Sequence, residues 1–294
     1  MSKVWLITGS ARGLGWEIAQ AALAAGHRVV ATARKPEHLS ALVEAHPEHA
    51  RAVALDVSDP AAARAAVEAA VREFGRLDVL VNNAGYANVC SIEDVSDEDF
   101  RAQFETNFFG LVNVTRAALP VLRKQRDGHI IQISSIGGRK GSPGLGSYQS
   151  AKFAVEGFSE VLHAEVRPLG IRVTIVEPGG FRTDWAGSSM RIDPIQPDYE
   201  QTVGAVRGLV RKTQDAVRGD PKKGAQAIVK VAAEPKPPLR LLLGTDAMFI
   251  AKTTAAAQAA EDAKWAPLSA STDFDGLGDF ADTEVAKMLL AVRQ

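Results

Sequence analysis

The stretch VWLITGSARGLG, residues 4–15, decides the fold of this chain. Its first four residues are apolar and predict a short buried strand, and a helical pattern from about Leu14 to Ala25 follows a turn with three glycines. Glycines between a strand and a helix let the backbone approach a pyrophosphate, and the helix N-terminus supplies N–H groups and a positive dipole end. The stretch therefore predicts a dinucleotide-binding turn, with a tight turn that binds no ligand as the alternative.

Strands and helices alternate along the chain from this turn as far as Pro178. Strands are predicted at 28–33, 52–55, 77–81, 129–134 and 171–176, and helices at 60–74, 97–126 and 148–167. Strands that are apolar throughout, each followed by a helix, indicate a parallel sheet covered on both faces. The predicted fold is α/β, a doubly wound, Rossmann-type parallel sheet with helices on both faces in a single domain.

The alternation becomes less regular beyond Pro178. Residues 1–245 are expected to form the Rossmann-fold dinucleotide-binding and catalytic domain, with a substrate loop at about 184–220. Residues 246–294 are expected to be a C-terminal helical extension of the same domain. The smaller predicted elements are a mobile loop at 184–200, helices at 198–216, 221–233, 246–266 and 282–293, and a strand at 239–243.

The composition of the chain argues against several classes of function. The 294 residues carry a formal net charge of −1, which gives no electrostatic footprint for nucleic acid. A single cysteine, Cys90, allows neither an internal disulfide nor a cysteine-clustered zinc site, and no metal site is predicted. No apolar run approaches the ~20 residues that a membrane span needs. We therefore expect a soluble, cytoplasmic protein with no membrane partner.

The end of the second predicted strand indicates which nucleotide binds. An NAD site usually carries an acid there, which binds the ribose 2′-hydroxyl. Here the acid is missing, and Arg34 follows the strand directly. Arg34, and Arg12 within the glycine turn, could bind a 2′-phosphate, although either could be an ordinary surface charge. The sequence favours NADP(H) over NAD(H).

The segment SYQSAK, residues 147–152, supplies a candidate for the chemistry. Tyr148 and Lys152 share one face of a helix, because residues four apart are neighbours there. A free tyrosine has a pKa of about 10, and a nearby lysine together with an oxidised nicotinamide ring would lower it by ~2–3 units. Ser135 ends the strand HIIQISS and can reach the same sheet edge. Tyr148 is thus predicted to be a general acid/base tuned by Lys152; the alternative is a surface pair.

Further motifs follow in order along the chain. They are Asp56-Val57, the NNAG motif Asn82-Asn83-Ala84-Gly85, Asn107 in TNFFG, and Pro178-Gly179 with Thr183 beyond. With the TGxxxGxG turn and with Ser135, Tyr148 and Lys152, they make residues 4–184 resemble a short-chain dehydrogenase/reductase. Glu177 departs from the pattern, because asparagine is common at that position in the family.

The resemblance implies hydride transfer between a nicotinamide and a carbonyl or secondary alcohol. Tyr148 would exchange the proton with the substrate oxygen, Ser135 would hydrogen-bond that oxygen, and Lys152 would also hold the nicotinamide ribose. Asn107 would position a water that passes protons from Lys152 to solvent. The cofactor-binding residues would be Gly9, Ser10, Arg12, Gly13, Leu14, Gly15, Arg34, Asp56, Val57, Asn83, Ala84, Gly85, Tyr148, Lys152, Pro178, Gly179 and Thr183.

The substrate and the assembly are less well specified by the sequence. Candidate pocket residues are Tyr86, Asn88, Val89, Phe181, Trp185 and Met190, and they would suit a partly apolar small molecule. Relatives commonly form dimers or tetramers, so a homo-oligomer is expected. A non-catalytic NADP(H)-sensing regulator on the same fold is the alternative function. An epimerase or dehydratase on a related fold fits less well.

Overall fold

A parallel sheet forms the centre of the structure, a computed structural model that describes residues 2–183, 190–212 and 217–291. Its strands are β1 (Val4–Ile7), β2 (Arg28–Ala33), β3 (Ala50–Ala54), β4 (Val79–Asn82), β6 (Gly128–Ile133), β7 (Ile171–Pro178) and β9 (Arg240–Leu243). Their order across the sheet is β3-β2-β1-β4-β6-β7-β9, and each neighbouring pair is parallel. A separate two-stranded parallel sheet pairs β5 (Ala87–Val89) with β8 (Met190–Ile192).

Helices cover both faces of the large sheet, which confirms the predicted doubly wound architecture. The helices are α1 (Gly13–Ala24), α2 (Ser40–Ala45), α3 (Pro60–Phe74), α4 (Asp97–Phe104), α5 (Gly110–Gln125), α6 (Gly146–Val166), α7 (Ala205–Lys212), α8 (Pro221–Ala233), α9 (Thr245–Ala270) and α10 (Glu284–Ala291). One core lies among β1, β2, α1 and α8, and the other among the opposite strand faces, α3, α5 and α6.

Strand β1 shows why the central strands are apolar throughout. Successive side chains of a strand point to opposite faces of the sheet. Trp5 and Ile7 lie in the first core, and Val4 and Leu6 lie in the second. All four side chains are fully buried, so a polar residue at any of these positions would lose its water without gaining a partner.

The sheet order places a topological switch point beside the glycine turn. Strand β1 pairs with β2 on one side and with β4 on the other, so the chain reverses its direction of progress across the sheet at β1. In open α/β sheets, ligands bind beyond the carboxyl ends of the strands at such a switch point. The turn after β1 and the segment after β4 meet there.

Two predicted elements differ from the structure. The helix predicted at 97–126 is divided by a π-helical turn, Glu105–Phe109, between α4 and α5. The loop predicted at 184–200 contains β8, which pairs with β5, while residues 184–189 lie outside the described part of the chain. A three-residue strand is too short to show alternation in the sequence, and its pairing partner lies about a hundred residues earlier.

The chain divides into two compact units, Met1–Phe249 and Ile250–Gln294. Helix α9 contains the boundary, and the second unit continues with a 3₁₀ turn, Phe280–Asp282, and α10. These helices lie where the sequence predicts helices at 246–266 and 282–293, of which residues 292 and 293 are outside the described ranges. No helix in the described ranges is long and apolar enough to cross a membrane.

Candidate active site

The glycine turn adopts backbone conformations that few other residues accept. Gly9 has φ +67° and Gly13 has φ +58°, both in the left-handed region. A Cβ atom on Gly9 would lie 2.9 Å from the Cα of Ala84, and one on Gly15 would lie 2.4 Å from the carbonyl oxygen of Gly9. The turn is therefore closely packed against the NNAG segment and against itself, and the glycines are required sterically.

Hydrogen bonds tie this turn to the NNAG segment. The hydroxyl of Thr8 accepts hydrogen bonds from the backbone N–H groups of Asn83, at 2.9 Å, and Ala84, at 3.0 Å. The side-chain amide of Asn83 donates to the carbonyl oxygen of Thr8 at 3.0 Å. The Ser10 hydroxyl donates to the carbonyl oxygen of Ile7 at 2.7 Å, so this predicted cofactor residue also stabilises the turn internally.

The N-terminus of α1 fits a phosphate. Arg12 precedes the helix in an extended conformation, its side chain makes no capping hydrogen bond, and no acidic residue lies in the first turn. The first N–H groups of a helix have no intrahelical partner and carry a partial positive charge. Leu14 is partly buried behind them and packs against the first core. This combination of amides, dipole and bare glycine backbone suits a pyrophosphate.

The segments that follow β2 and β3 carry an arginine and an acid. Hydrogen bonding from Ser58 lowers the pKa of Asp56, and the charge of Arg34 lowers it further, which places Arg34 within electrostatic reach of Asp56. Arg34 is exposed directly after β2. Val57 is buried, and its methyl group would lie 2.5 Å from a Cβ on Gly110. The structure thus offers a cation where an NAD site usually has its acid.

The predicted reacting residues lie together at the carboxyl end of β6. Ser135 follows β6, accepts a hydrogen bond from the backbone of Gly137 at 3.0 Å, and hydrogen-bonds to the Tyr148 hydroxyl. Tyr148 is only 7 % exposed, near the beginning of α6. The ammonium of Lys152 lies 5.7 Å from the centre of the Tyr148 ring and donates to the carbonyl oxygen of Ile133 at 2.8 Å. Tyr148 and Lys152 are therefore not a surface pair.

Burial opposes the electrostatic tuning that the sequence predicts. It raises the pKa of Tyr148 to about 12, against a lowering effect of the Ser135 hydrogen bond. It lowers the pKa of Lys152 to about 8, against a raising effect of Glu156. The lysine therefore loses its proton well before the tyrosine does. In this structure the phenol therefore keeps its proton at neutral pH.

Asn107 lies in the π-helical turn, a feature that often marks functional sites. Its side-chain amide donates to the carbonyl oxygens of Tyr86 and Gln103, each at 3.0 Å, and its oxygen accepts from the Tyr86 N–H at 3.2 Å. A Cβ on Gly85 would lie 2.5 Å from that oxygen and 3.8 Å from the Lys152 nitrogen. The predicted asparagine, glycine and lysine thus converge, and Asn107 fixes the segment that follows NNAG.

The segment after β7 is held by a residue that the sequence analysis missed. Pro178 ends β7, and the Gly179 N–H donates to the carbonyl oxygen of Leu243 at 2.9 Å. The carboxylate of Asp246, at the beginning of α9, accepts from the Gly180 N–H at 2.7 Å. No sequence signal connects Asp246 to this turn across 66 positions. Thr183 lies beside the glycine turn, 3.6 Å from where a Cβ on Gly13 would be.

The candidate pocket residues lie in different surroundings. Val89 and Met190 pack together with Val203 in a small apolar cluster beside β5 and β8, and Asn88 accepts a hydrogen bond from the Ser147 hydroxyl at 2.8 Å. Tyr86 is partly buried, and burial raises the pKa of its hydroxyl. Phe181 is partly buried and packs against the first core. Trp185 lies outside the described residues.

Comparison with known proteins agrees with this geometry. Residues 3–192 match the family described as short chain dehydrogenase. Oxidoreductase BOA17 of Botryotinia fuckeliana is 52% identical over 92% of this chain and 98% of its own length. A 3-ketodihydrosphingosine reductase of Bacteroides thetaiotaomicron is 39% identical over 82% of this chain and 88% of its own. The crystal structure of a short-chain dehydrogenase from Streptomyces avermitilis superposes with a TM-score of 0.87, at 41% identity, over 93% of this chain and 99% of that one.

Proposed function

The chain belongs to the short chain dehydrogenase family of oxidoreductases, and from that premise we propose that it transfers a hydride between NADP(H) and a carbonyl or secondary alcohol. The observation that supports this most directly is the buried hydrogen bond between Ser135 and Tyr148, with the Lys152 ammonium 5.7 Å from the phenol ring. A nucleotide-sensing regulator would need the glycine turn but not these three side chains. Their convergence favours an enzyme.

The cofactor proposal combines the family's nicotinamide chemistry with the charge at the end of β2. When bound, the cofactor would supply a hydride to the carbonyl carbon or accept one from the alcohol. The glycine turn and the α1 N-terminus would hold its pyrophosphate, and Arg34, with Arg12, would bind a 2′-phosphate. Asp56 and Val57 would border the adenine. Pro178, Gly179 and Thr183 would border the nicotinamide.

Tyr148 performs the proton transfer in this proposal. Because burial raises its pKa to about 12, the phenol keeps its proton at neutral pH and can donate it to the oxygen of a carbonyl substrate. The Ser135 hydroxyl, in hydrogen-bond contact with the phenol, donates to the same oxygen and stabilises its developing negative charge. In alcohol oxidation the same two residues act in reverse, and the phenolate takes the alcohol proton.

Lys152 stabilises the phenolate only while it stays protonated. Its pKa of about 8 keeps it charged at neutral pH. The positive ring of an oxidised nicotinamide would lower the pKa of Tyr148 toward that of Lys152, and the two cations together then favour the phenolate. Asn107 binds the backbone of Tyr86, which follows Gly85 near Lys152. It is proposed to position the water through which protons pass from Lys152 to solvent.

The substrate is proposed to be a partly apolar small molecule. The apolar cluster of Val89, Met190 and Val203 lies on the two-stranded sheet that follows the NNAG segment. The relative named 3-ketodihydrosphingosine reductase, at 39% identity, supports a carbonyl carried on an apolar chain or ring.

Exposed apolar side chains on and beside α5 and α6, namely Phe109, Phe153 and Val161, support a homo-oligomer.

The experiment is the Tyr148→Phe substitution, assayed by NADPH oxidation with a panel of ketones and aldehydes. Turnover should fall about 100- to 10,000-fold, because general acid catalysis contributes that much. NADPH should still bind, because the substitution removes one hydroxyl and leaves the glycine turn intact. Tyr199→Phe is the matched control: its ring packs against the cluster of Val89, Met190 and Val203, but the hydroxyl that the substitution removes bonds to Glu93 at the surface. Unchanged turnover in Tyr148→Phe would reject the mechanism. Tighter binding of NADH than NADPH would reject the cofactor, and binding without any turnover would favour the regulator.

A further inference from the structure

Two buried carboxylates lie behind the proposed site and have no part in the mechanism above. Glu156 is on α6, one helical turn after Lys152, and is 6 % exposed. Glu177 is on β7, directly before Pro178, and is fully buried. Carboxylates are rarely buried unless they are paired, because removing a charge from water costs several kcal/mol. The pairing around these two side chains is therefore informative.

One guanidinium is shared between the two carboxylates. Nε of Arg240, on β9, lies 3.1 Å from an oxygen of Glu156 and 3.3 Å from an oxygen of Glu177. Nη1 of Arg240 lies 2.8 Å from a carboxylate oxygen of Glu160, and Nη2 of Arg139 lies 2.8 Å from an oxygen of Glu177. Three carboxylates thus face two guanidiniums, and Lys152 lies one helical turn before Glu156 on α6.

Glu156 also packs against the turn that carries Ser135. A Cβ on Gly138, three residues after Ser135, would lie 3.0 Å from Cγ of Glu156 and 2.9 Å from the Ser134 hydroxyl oxygen. Glu156 therefore contacts the serine turn and, on its own helix, lies next to the lysine. The charged and hydrogen-bonding groups around it are Lys152 and Glu160 on α6, Ser134 after β6, Glu177 on β7 and Arg240 on β9.

The electrostatic balance at Glu156 allows it to change charge near neutral pH. Burial raises its pKa to about 7, and the negative charge of Glu177 adds to this rise, while the neighbouring Ser134 hydroxyl and the Arg240 guanidinium oppose it. In turn, the Glu156 carboxylate raises the pKa of Lys152. The charge of Glu156 therefore acts on Lys152, and the pKa values of about 7 and about 8 place both groups in the pH range where the enzyme would work.

We propose that Glu156, whose own charge is biased by Glu177 and Arg240, is a positioning residue that sets the charge on Lys152 and so fixes the pH range in which the Tyr148–Lys152 pair transfers protons. It acts through Lys152 and does not touch the substrate. The expected change in the pH profile of turnover rests on the proposed function, whereas the effect of Glu156 on the Lys152 charge does not. Removal of a negative charge lowers the pKa of every neighbouring acid, so loss of the Glu156 charge moves the pH profile to lower pH.

The test compares Glu156→Gln with Glu160→Gln in the full-length protein. Both are on α6 and both pair with Arg240, but the Glu160 side chain is 54 % exposed and that of Glu156 is 8 % exposed. The pH profile of kcat/KM should shift down by about one unit in Glu156→Gln, as expected for a half-ionised carboxylate about one helical turn from the lysine. In Glu160→Gln the shift should stay below about 0.2 unit, because exposed charges are screened.

A second measurement does not depend on turnover. The ¹³Cε resonance of Lys152, assigned with Lys152→Met, should report a lower lysine pKa in Glu156→Gln, and in the wild-type protein it should respond to a titration near pH 7. Such a shift in a protein that turns over no carbonyl would support the coupling and reject the proposed function. Active enzymes with the same profile and the same lysine pKa in wild type and Glu156→Gln would overturn the inference. A Lys152 resonance without the wild-type response near pH 7 would overturn it as well, even where Glu156→Gln does not fold.

Discussion

The buried carboxylate of Glu156 should make the stability of this protein depend on pH. Its pKa is raised from 4.5 to about 7, chiefly by burial. A group with a raised pKa binds its proton more tightly in the folded chain than in the unfolded one. The stabilisation is therefore fully present below pH 4.5 and is lost as the pH rises through 7. Glu156→Gln keeps the shape of the protonated acid and removes the titration.

The size of the effect follows from the same two values. One pKa unit corresponds to about 1.4 kcal/mol, so ionisation of Glu156 should remove about 3 kcal/mol from the unfolding free energy between acid and mildly alkaline pH. The difference between Glu156→Gln and the wild type should therefore grow by about 2–3 kcal/mol in favour of the variant as the pH rises from 5 to 8. In urea this is a relative shift of the unfolding midpoint of about 1 M.

The assay is urea unfolding, followed by tryptophan fluorescence at pH 5, 6, 7 and 8, for the wild type, Glu156→Gln and Glu160→Gln. Glu160 pairs with the same arginine, but its half-exposed carboxylate should give a difference that does not change with pH. A difference between Glu156→Gln and the wild type that is flat across this range would refute the reasoning. A variant that loses stability as the pH rises would show that the ion pair with Arg240 outweighs burial.

Two further substitutions test the cofactor site. Arg34→Ala should weaken NADPH binding about 10- to 100-fold and leave NADH binding unchanged, because a hydrogen bond to a charged group contributes about 1.5–3 kcal/mol; Lys35→Ala is the control in the nucleotide titration, and equal losses for both nucleotides would contradict the assignment. Gly9→Ala should lower the unfolding free energy by about 2–5 kcal/mol in thermal denaturation, because it combines a left-handed backbone with a close approach to Ala84. Gly75→Ala, with φ +80° and nothing within 4 Å of its Cβ, should cost only about 1–2 kcal/mol; equal costs would contradict the close approach.

Most of the fold and part of the site could be predicted from local patterns. The apolar strands and the helices between them predict a parallel doubly wound sheet, because both sheet faces must be covered. Helix geometry alone makes Tyr148 and Lys152 neighbours on one face of α6, and in the structure the lysine nitrogen lies 5.7 Å from the centre of the tyrosine ring. The absence of an acid after β2 is likewise visible in the sequence at Arg34.

Other features exist only because distant segments meet. The strand Met190–Ile192 forms because it pairs with Ala87–Val89, and Asp246 holds the turn at Gly180 from the beginning of α9. Arg240 joins two carboxylates that lie 21 positions apart on different elements. Such contacts have no periodicity and no local propensity, so nothing in the sequence near each residue indicates its partner.

The sequence by itself determined which residues form the glycine turn and that Tyr148 and Lys152 share one face of a helix, because backbone conformation and nearest-neighbour spacing are local properties. The tertiary structure decided their charge states. It buries the Tyr148 phenol, the Lys152 ammonium and the Glu156 carboxylate. Burial shifts each pKa in the direction that favours the neutral form: upward for Tyr148 and Glu156 and downward for Lys152. The free energy of a charge depends on the water excluded by every packed element around it, and that is settled only when the whole chain has folded.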